Sequence, residues 1–278
     1  MPASKLKNII LAILLLTNLF LLALVVPARR AAGERAQAMH DSLQALFSEY
    51  GVTLECALPT DEQPLSPLTL EADVRAQQAA AAALLGKDAA ADAGSGSYRS
   101  VYRSDAGSCQ FVHGGSFSAA LTGEERSSDD PARAADRLLA RMGFDTDGAE
   151  APVRLSAGVF SVTAAQRISG RLVFSARLTL TYANGSLTEL EGTFLTGTPS
   201  AVQDAQTGLA CADALIAFLG SRDSLGWVGS RVTRVRQGYV QAETASATTV
   251  RLAPVWRIET DAGAFDVDGQ TGAVTAAE

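Results

Sequence analysis

The chain has 278 residues, of which 47% are hydrophobic and 19% are charged, and its formal net charge at pH 7 is −7. This acidic balance argues against a protein that binds nucleic acid through a basic surface. The three cysteines form no CxxC motif, so the usual zinc and thiol–disulfide motifs are absent from the sequence.

The first feature along the chain is an uncharged apolar run over residues 8–26. As a helix its 19 residues span about 28 Å, close to the roughly 30 Å of bilayer hydrocarbon. The run is longer than the apolar core of a secretory signal, and two arginines follow it. The sequence therefore predicts a cytoplasmic tail and one uncleaved transmembrane anchor within residues 1–35, with the N terminus inside. Cleavage after Ala28 or Ala32 is the alternative.

Two polar residues, Thr17 and Asn18, lie in the middle of this run. In lipid, an amide side chain prefers a hydrogen-bond partner on a neighbouring helix. The alternative is that one such residue is tolerated without a partner, because its cost in the bilayer is modest. The favoured interpretation is a helix–helix contact, and the predicted partner interface is one helix face made of Leu11, Leu14, Thr17, Asn18, Leu21 and Val25.

Residues 36–123 are predicted to form an N-terminal α+β domain. An apolar stripe of helical spacing predicts a helix over residues 36–50, and a second, alanine-rich helix is predicted over residues 71–85. The segment 98–121 has the pattern of a β-hairpin that continues into a third strand. The polar residues 123–129 are the predicted domain boundary.

Residues 128–278 are predicted to form a C-terminal α+β domain of two similar halves, 128–197 and 198–278. In each half a helix is followed by antiparallel strands, which is an α+β plan. Asp130 is the predicted N-cap of the first helix, since Pro131 follows it at the first helical position.

Local patterns define the buried faces of these two halves. The inner face of the first helix is predicted to be Ala135, Leu138, Leu139 and Met142. Apolar residues alternate over 172–182, with Val173 on the outer side, and Asn184-Gly185 predicts a hairpin turn. In the second half, Ser200 and Gln203 predict a capping box. The buried stripe of the helix that follows is predicted to be Ala205, Leu209, Ala212, Ile216 and Leu219.

The sequence offers little material for catalysis or metal binding. His40 and His113 are the only histidines, and along a strand His113 and Cys109 would be about 13 Å apart. Residues 266–269 (DVDG) are similar to the start of a calcium loop, but the later ligand positions lack side-chain oxygens, so a turn is the favoured interpretation. No catalytic residue, metal or cofactor is predicted.

The three cysteines are predicted to be buried thiols. Cys211 lies among alanines and leucines and is expected to be a small core residue in the middle of a helix. A bridge between Cys56 and Cys109 is the alternative, because an extracytoplasmic location would permit it.

The C-terminal sequence resembles a known family. The pattern LAPVWRI, a short turn and AFDVDGQTGAV resembles the terminal hairpin of PepSY-like domains. Trp256, together with Leu252 and Ile258, is expected to face the core, and Pro254 predicts a sheet edge or a bulge. The family-motif residues are Pro254, Trp256, Phe265, Asp268, Gly269, Thr271 and Gly272.

With one membrane helix and a duplicated C-terminal plan, the whole chain resembles the YycH/YycI group of membrane-anchored accessory proteins of Gram-positive bacteria. The resemblance implies an extracytoplasmic domain that regulates the sensor histidine kinase of cell-wall homeostasis, together with a related YycH-like accessory protein. A non-enzymatic regulator is therefore expected. The alternatives are a PepSY-type inhibitor or chaperone of an extracellular protease, and a cell-wall hydrolase.

Overall fold

The structure is a computed structural model of the chain, and its described residues form an α+β protein with one large mixed sheet. This confirms the predicted α+β class, whereas the predicted transmembrane helix and the tandem of similar C-terminal units stay predictions. The described residues are 14, 17, 33–34, 37–59, 63–92, 98–122, 130–202, 208–242 and 249–277.

Helices cover the sheet and short turns connect its strands. The helices are α1 (37–49), α2 (Val74–Leu85), α3 (Pro131–Met142), α4 (Cys211–Gly220) and α5 (Arg222–Leu225), and a 3₁₀ turn spans His113–Gly115. The strands are β1 (Thr53–Leu54), β2 (Leu68–Glu71), β3 (Ala90–Ala91), β4 (Arg99–Ser104), β5 (Gly107–Val112), β6 (Ser116–Leu121), β7 (Val153–Ser156), β8 (Val159–Ile168), β9 (Arg171–Ala183), β10 (Ser186–Thr193), β11 (Pro199–Ala201), β12 (Arg231–Ala242), β13 (Thr249–Thr260), β14 (Gly263–Asp268) and β15 (Val274–Ala276).

The sheet consists of two parts that meet at one point. The first part is antiparallel, with the order β7-β8-β9-β10-β6-β5-β4-β3. The second part has the order β11-β2-β13-β12-β1, with β14 and β15 continuing from β13. A parallel pairing of β12 with β9, Tyr239 opposite Val173, connects the two parts.

Helices α2 and α3 cover the first part of the sheet and close its core. The side chain of Asp130 accepts a hydrogen bond from the backbone of Arg133 at 3.2 Å, and Gly143 ends α3 in the left-handed conformation. The predicted cap is therefore confirmed. So is the predicted inner face, since all four of its residues are buried: Ala135, Leu138, Leu139 and Met142.

Helices α1 and α4 cover the second part of the sheet. Here the predicted helix start is wrong: Ser200 lies in strand β11 opposite Thr69, and α4 begins at Cys211. The predicted stripe is correct at Leu219, which is buried, and wrong at Ile216, which is 50% exposed, and at Leu209, which precedes the helix. Ala205 lies outside the described residues. The buried face of α4 is instead Cys211, Ala214, Leu215, Phe218 and Leu219.

Both cores draw residues from both predicted domains, 36–123 and 128–278. Helix α1 and strand β1 pack with the C-terminal strands, whereas α2 and strands β4–β6 pack with residues 135–194. Strand β6 also pairs directly with β10 across the predicted link. The limits of the domains themselves stay a prediction.

A third cluster fills the junction between the two parts of the sheet, with Val173 and Tyr239 at its centre. Val173 is fully buried, contrary to the predicted alternation, because the second part of the sheet packs on it. Residues 174–176 of β9, which follow it, have no partner on β8. Nearby, the buried side chain of Gln166 holds the backbone of Leu195 through two hydrogen bonds of 2.8 and 2.9 Å. This amide thus replaces a strand partner where the chain passes from β10 to β11.

Candidate functional site

The predicted interface on the membrane run lies mostly outside the described residues. Of its six positions the structure describes Leu14 and Thr17, both helical and exposed, whereas Leu11, Asn18, Leu21 and Val25 are not described. Across the described part of the chain, every helix is too short or too polar to cross a bilayer. The predicted anchor therefore remains a prediction.

The aromatic residues of the C-terminal motif hold the second core together. Trp256 is fully buried and donates its indole N–H to the backbone carbonyl of Leu209 at 2.9 Å. The ring of Phe265 lies 5.3 Å from that of Phe218 on α4 and 6.2 Å from that of Trp227, measured between centroids. These two motif residues therefore dock α4 on the sheet.

The polar residues of the motif form a closed turn. One carboxylate oxygen of Asp268 accepts hydrogen bonds from the backbone of Gln270 and from the backbone and hydroxyl of Thr271, at 2.7–2.9 Å. Gly272 has a positive φ of 75°, and a side chain on Gly269 would lie 2.9 Å from the carbonyl oxygen of Pro254. The predicted turn over these residues is confirmed, and it uses the Asp268 carboxylate that a calcium loop would need.

Pro254 lies in a central strand, so the predicted sheet edge is wrong. On one side β13 pairs with β12, and on the other side it pairs with β2 up to Leu252 and with β14 from Val255 onward. The carbonyl of Pro254 faces this second side, where it accepts a hydrogen bond from Gly269. In a strand, the N–H and C=O of one residue point to the same side. Proline has no N–H, and the N–H that Pro254 lacks would point into the gap between the end of β2 and the start of β14.

A buried ion pair crosses the other face of this hairpin. Arg257 binds Asp266 through two hydrogen bonds of 2.8 and 2.6 Å, and both side chains are only 10% exposed. The Arg257 guanidinium also lies 4.3 Å from the ring centroid of Phe174, while Arg236 pairs with Glu259 beside it. These charges are all paired, so the arrangement supports a structural role. Among the described residues no group of three or more potential metal ligands comes together.

The candidate binding site is a cleft between the two parts of the sheet, which we call the Tyr98 cleft. Its volume is about 110 Å³. Elements from both parts of the sheet form it. The first part contributes the first turns of α2, the start of β4, the 3₁₀ turn after β5 and the segment after β10, and the second part contributes β2 and β13. Its apolar lining is buried and consists of Leu70, Phe111, Phe194, Leu195 and Val250.

The rim of the Tyr98 cleft combines exposed apolar and polar side chains. Val74 is 62% exposed and Tyr98 is 63% exposed, and the ring of Tyr98 lies 5.4 Å from the ring of His113. Gln77 reaches Thr196 with its amide nitrogen at 3.4 Å, whereas its oxygen is buried and has no hydrogen-bond partner among the described residues. His113 and the alanine-rich helix were singled out from the sequence, but nothing in the sequence indicated that they share a cleft.

The remaining candidate nucleophiles are placed in unreactive surroundings. Burial raises the pKa of the Cys109 thiol to about 12, and burial also raises the pKa of Cys56. Cys56 and His40 line one open groove beside α1, a pairing that sequence distance did not indicate. Cys56, Cys109 and Cys211 all lie in the described part of the chain and form no disulfide. Protonated thiols are poor nucleophiles, so this geometry does not favour thiol catalysis.

Comparisons with known proteins place few constraints on this chain. Neither the protein-family models nor the curated proteins contain a match to it. The chain is similar to a crystal structure of an uncharacterised protein from Eubacterium rectale, with a TM-score of 0.49 and 10% sequence identity over 82% of this chain and 90% of that one. At this level, the likeness carries no inference about function.

Proposed function

We propose that this protein is a membrane-anchored, extracytoplasmic accessory regulator of a sensor histidine kinase that controls cell-wall homeostasis. Its anchor is the run 8–26, and its C-terminal region is a tandem of PepSY-like or YycH-like units. It acts by protein–protein contacts with the kinase and with a related YycH-like accessory protein. The proposal rests on the resemblance of the C-terminal hairpin and of the overall plan to the YycH/YycI group.

The observation that carries the contact mechanism is the uncharged 19-residue run with Thr17 and Asn18 at its centre. Lipid is as apolar as leucine, so a helix–helix contact gains specificity from packing and from such polar side chains.

A second function is supported by the same hairpin, whose resemblance is to PepSY-like domains in general. An inhibitor or chaperone of an extracellular protease would bind its target through the soluble region and would need no anchor. The two functions are separated by releasing residues 36–278 from the membrane behind a cleavable signal and comparing this form with the full chain in a deletion strain. The measured quantity is transcription that depends on the kinase, with secretion of both forms checked by immunoblot.

We expect the full chain to restore normal transcription and the released form to fail. Full restoration by the released form would contradict regulation through the anchor and would favour the inhibitor. The orientation is tested separately by protease treatment of intact protoplasts, which should digest residues 36–278. Complete protection of that region would contradict an extracytoplasmic location.

A further inference from the structure

We propose that a second cleft, which we call the Arg141 cleft, binds an aliphatic monocarboxylate whose chain lies on the apolar lining and whose carboxylate meets Arg141. The cleft lies where α2, the end of α3, the turn between β8 and β9 and the chain from β10 to β11 meet. Its volume is about 400 Å³, within the range of roughly 300–1,000 Å³ that is usual for small-molecule sites. This inference goes beyond the proposed function and does not rest on it.

The charges that line the Arg141 cleft are of one sign. Of the described residues in its lining, Arg141 and Arg167 are cationic and none is acidic. Arg167 pairs with Asp147, which lies outside the lining, and donates a hydrogen bond to the carbonyl of Gly170 at 2.8 Å. Arg141 is exposed and makes no ion pair within the described part of the chain. One positive charge at the cleft is therefore left without a carboxylate, and an anion complements it.

The rest of the lining selects an aliphatic chain as the body of this anion. Four buried apolar side chains belong to it, each at most 7% exposed: Met142, Ile168, Phe194 and Leu195. The amide of Gln166, which also lines the cleft, uses both its oxygen and its nitrogen to hold the backbone of Leu195. Gln166 is therefore not available to the peptide group of a ligand, whose burial without a partner is costly. A chain of methylene groups has no such requirement.

Small side chains on α2 leave the space that this chain would fill. Ala76 and Ala79 line the cleft, and Ala79 is exposed. A larger side chain at Ala79 would occupy the cleft from its open side without entering a packed core. This position therefore offers a variant that blocks the cleft.

The test uses the full chain in lipid nanodiscs, with carbon-13 in the methyl groups of methionine. The sequence has three methionines, of which Met142 lines the cleft and Met39 packs against the second core. The Met142 signal therefore reports on the cleft, and the Met39 signal is an internal reference. Hexanoate should shift the Met142 signal and saturate in about the millimolar range, as expected for so small a ligand. An unchanged Met142 signal well above that range would overturn the proposal.

Three further ligands test the two parts of the hexanoate molecule. Butanoate has two methylene groups fewer and should bind about 14-fold more weakly, since each buried methylene contributes about a factor of 4. Hexanamide lacks the charge and should bind about 5-fold more weakly, the upper value for an exposed ion pair. N-acetylleucine presents its carboxylate beside a peptide group and should also bind more weakly than hexanoate. Equal binding of hexanoate and hexanamide, or tighter binding of N-acetylleucine, would overturn the assignment.

Three variants and one control locate the binding. Arg141→Gln should weaken hexanoate by about 5-fold and leave hexanamide unchanged, whereas Arg141→Lys should retain most of the affinity. Ala79→Phe should abolish the Met142 shift. Arg137→Gln is the matched control, because Arg137 is exposed one turn earlier on α3 and does not line the cleft. This control should bind hexanoate as the wild type does.

The outcomes separate ligand binding from a purely structural role of Arg141. A cation in the last turn of α3 also favours the end of the helix, so Arg141→Gln should lower the stability slightly with or without a ligand. Equal weakening of hexanoate and hexanamide by Arg141→Gln would overturn the proposal, because it would indicate a distorted cleft. Unchanged hexanoate binding in Arg141→Gln or in Ala79→Phe would overturn it as well. If Ala79→Phe does not fold, the Arg141 variants and the ligand series decide the question. No kinase is present, so a failure here leaves the proposed function standing.

Discussion

The ion pair between Arg257 and Asp266 provides a quantitative test of the packing of the C-terminal hairpin. We expect Asp266→Asn to destabilise the protein by about 3–5 kcal/mol, because removing one partner leaves a buried charge uncompensated. Arg257 is 10% exposed on its side chain and lies against Phe174, so water cannot readily replace the lost carboxylate. The double variant Arg257→Met with Asp266→Leu removes both charges and should lie within about 1 kcal/mol of the wild type or above it.

The assay is urea unfolding of the full chain in a mild detergent, followed by the fluorescence of Trp227 and Trp256, which both lie in the second core. With a denaturant dependence of about 3 kcal/mol per molar urea, the single variant should shift the midpoint down by about 1–1.7 M. Arg154→Met is a matched control, since Arg154 lies exposed on the edge strand β7. A midpoint shift below about 0.3 M for Asp266→Asn would refute the argument, because it would mean that the pair is solvated.

The remaining predictions concern cysteine reactivity and pH. Iodoacetamide at neutral pH should label Cys56 before Cys109 and Cys211, which are buried, and equal rates measured by peptide mass mapping would contradict the packing. Burial raises the pKa of Cys109 and of Tyr182 to about 12, so the protonated forms of both groups favour the folded protein. The melting temperature should therefore be unaffected by these groups below pH 9 and should decline as the pH rises toward 12. Cys109→Ala should make this decline smaller. Burial acts to raise the pKa of Asp261, but hydrogen bonds from Ser230 and Arg231 at the start of β12 outweigh it and hold the pKa below its usual range. Its contribution should therefore be present above about pH 4 and be lost as the pH falls through the lowered pKa. The melting temperature of Asp261→Asn should accordingly fall less than that of the wild type as the pH is lowered below about 4.

Where local rules act alone, the sequence predicts this structure well. Helix α3 follows from one cap, one proline and one apolar stripe, and its end follows from Gly143. The hairpin at Asn184-Gly185 likewise depends on the conformation of two residues, and Asn184 does have a positive φ of 51°. These features need no information from the rest of the chain.

Predictions fail where distant segments decide the structure. Ser200 has the sequence context of a helix cap, but pairing with β2 makes it part of a strand. Pro254 belongs to a central strand because its neighbours β2 and β14 end and begin opposite it, which only the tertiary arrangement determines. Val173 is buried because the second part of the sheet packs on it.

The Tyr98 cleft lies beyond sequence-based prediction for the same reason. Gln77 and Tyr98 are 21 positions apart in the sequence, and Phe194 reaches the same cleft from a still more distant part of the chain. No spacing rule connects such residues. The interleaving of α1 and β1 with the C-terminal strands is equally invisible, since it depends on the parallel pairing of β1 with β12.

The central claim is that the protein acts through contacts made by its membrane run, and co-purification of the sensor kinase tests it most directly. We predict that Asn18→Leu combined with Thr17→Val lowers recovery of the kinase by about 8-fold at unchanged expression and insertion, since membrane hydrogen bonds average about 0.6 kcal/mol each and the double variant removes two such groups. Leu15→Ala with Leu19→Ala, on another face of the same run, should change recovery less. Equal recovery of the kinase from the wild type and from the Thr17 and Asn18 double variant would contradict the account.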